Sequence, residues 1–95
     1  MFVVEDEFHA ERIGHYPSLQ EAILELKRLA QIPWDQDPNT APCTNWRTCG
    51  RDYVVIEFDG SQLPWKELRR IPVFEITVNG IIWFTDLDSL DQKSE

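Results

Sequence analysis

The chain has 95 residues, of which 42% are hydrophobic and 12% aromatic, a composition typical of one folded domain with a modest core. Seventeen acidic residues against nine basic ones give a formal net charge of −8, which argues against nucleic acids and anionic membranes as partners because both require a basic face. The amino terminus is acidic and no apolar run has the length of a membrane helix, so we expect a cytoplasmic protein.

Residues 1–16 have the composition of β-strands, with Phe2, Val3 and Val4 set among charged residues. This pattern predicts either two strands that form a hairpin around residues 5–7 or a single strand that bends there. The hairpin is the preferred interpretation.

The clearest predicted element is a helix over residues 18–31. Ser18 is followed three residues later by Glu21, which is the spacing of a capping box, and Pro33 ends the pattern. Between these points, apolar residues recur every three or four positions and therefore share one side of a helix. They are Leu19, Ala22, Ile23, Leu26, Leu29 and Ala30. We expect this helix to cover one face of a sheet.

The segment after the helix contains the least regular part of the chain. Residues 32–50 show no periodicity and predict a long loop, whereas residues 53–58 alternate as a strand does. A short helical turn is predicted near residues 64–70, because Pro64 suits the first position of a helix.

A hairpin is predicted near the carboxyl end, where Asn79 and Gly80 separate two strand-like runs. A two-residue turn at these positions would pair Val78 with Ile81. Phe74, Ile76 and Trp83 would then share the core face.

The opposite face of this hairpin is unusually apolar for a surface exposed to water. It carries Ile82 and Phe84 beside Glu75 and Thr77. Either a loop or a second subunit should cover such a face, so Ile82 and Phe84 are candidate interface residues.

Together these elements predict an α+β fold in the order ββαβββ. An antiparallel sheet of about four to five strands would carry one main helix on one face. The domain is expected to extend over residues 1–86, and residues 87–95 are expected to be an acidic, frayed tail.

The two cysteines, Cys43 and Cys49, lie in the long loop with five residues between them. Structural zinc sites need four ligands, and His9 and His15 would be roughly 20 Å apart on an extended chain, so no metal is expected. A disulfide between the cysteines remains an alternative. Two buried, reduced thiols that pack as small apolar groups are favoured in a cytoplasmic protein.

A thiol-dependent enzyme or a redox-sensitive protein is an alternative function. Arg47 lies near Cys49 in the sequence and could stabilise its thiolate, and Cys43 is a second candidate thiol. The sequence contains no nucleophile elbow, phosphate-binding loop or dinucleotide motif. An enzyme is therefore the less favoured class, and no cofactor is predicted.

Aromatic and basic residues occur together in and after the loop. Trp46 adjoins Arg47 and Trp65 adjoins Lys66, and such pairs are common at protein interfaces. The alternative is that the basic residues pair with acidic residues of the same segment. The candidate binding residues are Trp34, Trp46, Arg47, Arg51 and Trp65.

The leading hypothesis is a small, acidic, bacterial-type domain that binds another protein, as inhibitor and immunity proteins do. The loop of residues 32–50 and the apolar back of the hairpin would provide the contact, and the net acidity suits a basic target. A self-associating structural protein is a third alternative.

Overall fold

The computed structural model describes residues 1–40, 50–61 and 63–93, with side chains as far as residue 90. These residues form five strands and two helices. In chain order they are β1 (Phe2–Asp6), β2 (Glu11–Tyr16), α1 (Leu19–Ala30), β3 (Gly50–Asp59), β4 (Lys66–Thr77), β5 (Gly80–Trp83) and α2 (Leu87–Lys93).

The five strands form one sheet in the order β2-β1-β3-β4-β5, and every neighbouring pair is antiparallel. The predicted α+β class with an antiparallel sheet is confirmed. β1 lies between β2 and β3, although β3 follows it by more than forty residues in the sequence. The long strands β3 and β4 pair along most of their length and form the centre of the sheet.

The first hairpin turns later than the sequence predicts. β1 continues to Asp6, which pairs with Glu11, and residues 7–10 form the turn. The Asp6 carboxylate accepts a hydrogen bond from the Phe8 backbone N–H at 3.1 Å, a local bond typical of Asx turns. Asp6 is also completely buried, so it belongs to the strand and not to a solvated turn around residues 5–7.

Helix α1 agrees with its prediction. Ser18 caps it, since its hydroxyl accepts a hydrogen bond from the Glu21 backbone N–H. The predicted apolar stripe is buried except for Ala30, which is partly buried, and it belongs to the same hydrophobic cluster as residues from three strands. Those strand residues are Val4, Tyr53, Val55, Val73, Phe74 and Ile76.

The opposite face of the sheet is covered by charged side chains. Val54 and Ile56 are buried there, and Arg70 lies directly across from Ile56. The Arg70 guanidinium reaches Glu7 at 2.7 Å and Glu67 at 2.9 Å. Long charged side chains can bury their aliphatic stems while their charged ends remain in water, so this network shields the apolar residues beneath it.

Two predictions in the carboxyl-terminal half are wrong. The helical turn near residues 64–70 is absent, because β4 begins at Lys66 and pairs with the end of β3. The hairpin register also differs: Thr77 pairs with Gly80, and Val78 and Asn79 form the turn. The Thr77 hydroxyl accepts a hydrogen bond from the Asn79 backbone N–H, and Gly80 has a φ of 108°, which favours glycine.

The acidic end of the chain, expected to be frayed from residue 87, contains helix α2. Asp86 begins this helix by accepting hydrogen bonds from the Asp88 backbone N–H and the Ser89 hydroxyl. Leu87 and Leu90, three residues apart, are buried in the main cluster. The two leucines explain why a segment with little apolar content still packs.

Candidate functional site

The described residues include only part of the site that the sequence predicts. Cys43, Trp46, Arg47 and Cys49 lie outside them, so the thiol and loop hypotheses stay predictions for these positions. Trp34 is partly buried and packs against the core. Trp65 is also partly buried, and its ring centre lies 6.0 Å from that of Phe58.

Arg51, a predicted binding residue, points into the protein. Its side chain is 6% exposed, and it donates hydrogen bonds to the Asp6 carboxylate at 3.0 Å and to the Thr40 carbonyl oxygen at 2.9 Å. Asp6 also lies 2.6 Å from Nδ1 of His9. Arg51 therefore holds the chain on both sides of residues 41–49, since Thr40 precedes them and Arg51 follows them closely.

Asn39 is a second buried anchor at the start of the same segment, and sequence reasoning missed it. Its amide nitrogen donates to the carbonyl oxygens of Leu29 and Ile32 at 2.8 and 2.7 Å. Its amide oxygen accepts a hydrogen bond from the Tyr53 hydroxyl at 2.7 Å. An asparagine in a polar loop has no sequence signal that distinguishes this role from an exposed position.

Burial raises the pKa of Tyr53, because its phenolate would be desolvated. A group whose pKa is raised in the folded state contributes stability below its unfolded pKa, about 10, and that contribution is lost as the pH rises further. Above pH 10, the free energy of unfolding should therefore fall more steeply with pH in wild type than in Tyr53→Phe. We expect the two slopes to differ by up to about 1.4 kcal/mol per pH unit.

Urea unfolding of both proteins between about pH 9 and pH 11 would measure this difference in slope. Tyr16 is present in both proteins, so its own ionisation cancels in the comparison. Parallel stability profiles would contradict the assignment of the effect to Tyr53.

A groove of 560 Å³ lies beside β5. Residues from the end of α1, the end of β5 and the start of α2 enclose it. They are Lys27, Ala30, Gln31, Trp83, Phe84, Thr85, Asp86, Leu87 and Asp88. Its volume lies within the range that is usual for ligand sites. We refer to it as the β5 groove.

Three consecutive large apolar residues are exposed at this edge of the sheet. Ile82 is 58% exposed, Trp83 49% and Phe84 52%. The inner side of Trp83 contacts the buried Phe74 ring, with ring centres 5.0 Å apart. Trp83 is thus held in place by the core while half of its surface stays accessible. The apolar face expected at Ile82 and Phe84 is exposed to solvent in the single chain.

The charges at the β5 groove are mostly acidic. Asp86 and Asp88 line it, and Lys27 is its one basic lining residue. The Lys27 ammonium lies 2.8 Å from the Asp88 carboxylate. The groove can therefore offer an apolar floor and a net negative rim, which suits a ligand that is both apolar and cationic.

A smaller cleft of 190 Å³ lies between Phe8 of the first hairpin, the start of β3 and the end of β4. It is lined by Phe8, Gly50, Arg51, Asp52, Glu75 and Thr77. Burial raises the pKa of Asp52, and the nearby carboxylates of Glu7 and Glu75 add to that effect. Within residues 1–40, 50–61 and 63–93, no group of three or more histidine, cysteine and acidic residues could hold a metal ion.

No helix formed by the described residues is both long and apolar enough to cross a membrane. The chain matches no family model, no curated protein and no solved structure.

Proposed function

We propose that this protein is a protein-binding module, of the inhibitor or immunity type, that contacts its partner through the exposed end of β5 and the adjoining groove. The observation that carries this proposal is the run Ile82, Trp83 and Phe84, in which each side chain is about half exposed. Exposed apolar patches of this kind mark interaction sites in soluble proteins.

The composition of this surface supports recognition of a protein. Tryptophan and phenylalanine are enriched at protein interfaces, and tryptophan in particular often provides a large share of the binding energy. Trp83 is well suited to this role because its contact with Phe74 restricts its motion, so that less conformational entropy is lost on binding.

The long loop provides a second contact surface in this proposal. Arg51 and Asn39 anchor the chain at the ends of residues 41–49, which contain Trp46 and Arg47. Loops held by a rigid scaffold commonly carry binding residues. The acidic character of the chain favours a basic partner over an acidic one.

The test compares proteins captured from the source cells by wild type, by Trp83→Ala and by a matched control, Leu68→Ala. Leu68 is a similarly exposed apolar residue, at 53%, in the first half of β4, away from the residues that pair with β5. Truncation of a central aromatic residue costs about 2 kcal/mol, so we expect the affinity for the partner to fall roughly thirtyfold in Trp83→Ala and to remain unchanged in Leu68→Ala.

Equal recovery of the same partners by all three proteins would contradict a role for this surface. Thermal unfolding of each variant separates a loss of binding from a loss of folding.

Self-association is the second candidate function, since an open sheet edge can pair with another chain. Sedimentation of wild type and of the double variant Ile82→Glu, Phe84→Glu addresses it. A wild-type monomer would remove this candidate, whereas a dimer that the double variant abolishes would establish it.

A further inference from the structure

We infer that β5 accepts an extended, basic peptide segment of the partner as an additional strand, whose alternate side chains enter the β5 groove. This inference rests on the proposed function and specifies the binding mode and the chemistry of the partner.

The backbone of β5 has hydrogen-bonding groups directed away from the sheet. The Phe84 backbone N–H donates to the Val73 carbonyl oxygen at 2.8 Å, so it points towards β4. The backbone N–H and C=O groups of successive residues point to alternate sides of an extended strand. Those of Ile81 and Trp83 therefore point away from β4. None of the described strands pairs with β5 on that side.

The two edges of the sheet differ in how they are protected. Edge strands normally carry charged residues or proline, which discourage pairing with another chain. β2, at one edge, contains Glu11, Arg12 and His15. β5, at the other edge, reads Gly-Ile-Ile-Trp and contains neither a charge nor a proline. Of these two edges, β5 is therefore the one suited to accept another strand.

The β5 groove lies where the side chains of an added strand would need space. Trp83 lines the groove from the face of the sheet that carries Phe74 and helix α1. Because strand side chains alternate between faces, every second side chain of an added strand would point into the groove. The others would lie beside Ile82 on the opposite face. In this mode backbone bonds provide affinity, and the groove provides specificity.

Charge favours a basic segment over a second copy of this chain. Two acidic residues, Asp86 and Asp88, and one basic residue, Lys27, line the groove, which leaves it a net negative charge, and Glu75 lies directly across from Ile82 on the other face. A second copy paired through its own β5 would bring two such acidic sets together, each on a chain of net charge −8. Lysine or arginine in the peptide would instead be attracted to these carboxylates and could stack on Trp83.

The test begins with a displayed library of random peptides selected on the whole protein, with Trp83→Ala used to remove peptides that bind elsewhere. We expect the enriched peptides to carry net positive charge and to alternate apolar with basic residues. Enrichment of acidic peptides, or of none, would overturn the inference.

The binding mode is then tested with an enriched peptide synthesised in two forms, each methylated on alternate backbone amides. Only one set of amides would face β5, so one form should lose about tenfold or more in affinity while the other should bind like the unmodified peptide. The amide protons of Ile81 and Trp83 should also become protected from exchange with solvent. Equal binding by both forms, or unchanged exchange at both amides, would overturn strand addition.

These outcomes are separable from failure of the proposed function. If Trp83→Ala loses the partners while both methylated peptides bind equally, the binding surface is supported and strand pairing is rejected. Partners retained in Trp83→Ala would reject the surface itself.

Discussion

Replacement of Asp6 by alanine is expected to lower the free energy of unfolding by about 3–5 kcal/mol, because it leaves a buried guanidinium without its main counter-charge. Asp6 is completely buried and accepts hydrogen bonds from Arg51 and from the backbone N–H groups of Phe8 and Asp52. Glu11 remains 3.3 Å from Arg51, but its side chain is half exposed and is a weaker counter-charge.

Urea unfolding measures this effect, and Glu57→Ala is the matched control. Glu57 of β3 pairs with Arg69 of the neighbouring strand β4, but on the surface, where such a pair contributes at most about 1 kcal/mol. Addition of Arg51→Met to Asp6→Ala should recover part of the loss, since it removes the unpaired charge. Equal losses in Asp6→Ala and Glu57→Ala would show that the buried pair does not stabilise the fold.

Replacement of Phe74 by alanine is expected to destabilise the protein by about 3–5 kcal/mol, the usual range for a buried phenylalanine. Phe74 is completely buried, and its ring contacts those of Tyr53 and Trp83, with centres 5.1 and 5.0 Å away. The loss combines the transfer of a large ring to water with the cavity that it leaves behind.

Chemical denaturation of Phe74→Ala, with Phe8→Ala as the exposed control, would measure this loss. Substitution of Phe8 should change the free energy of unfolding by less than about 0.5 kcal/mol, as is usual for surface positions. Because Phe74 also supports Trp83, Phe74→Leu should remain folded yet bind the partner more weakly than wild type. A loss below about 1 kcal/mol in Phe74→Ala would contradict the close packing around this ring.

The candidate site shows where sequence reasoning succeeds and where it stops. The alternation of apolar residues indicated that Ile82 and Phe84 would leave the hairpin with an apolar outer surface, and both side chains are exposed. The same alternation predicts that Trp83 lies on the core face, and so it does not identify Trp83 as an exposed residue. Trp83 lies beside Phe74 but at the edge of the sheet, and a pattern of faces along one strand contains no information about distance from an edge.

The hairpin register illustrates a related limit. The Asn79-Gly80 pair indicated the turn to within one residue, since its conformational preference is local. The observed register is accompanied by a hydrogen bond from the Asn79 backbone N–H to the Thr77 hydroxyl and by an irregular pairing of β4 with β3, where Val73 is an extra residue. Such an irregularity is set by the packing of two strands, which a local pattern does not encode.

The sequence by itself determined helix α1, its Ser18 cap and the apolar stripe that it buries, because these features depend on residues within a few positions of one another. Only the tertiary structure decided that Asp6 pairs with Arg51, that Asn39 bonds to Tyr53, and that β5 is the last strand at one side of the described sheet. These features join residues distant in the chain or depend on strand order. Their energies arise from burial and from long-range pairing, which are defined only when the sheet is assembled.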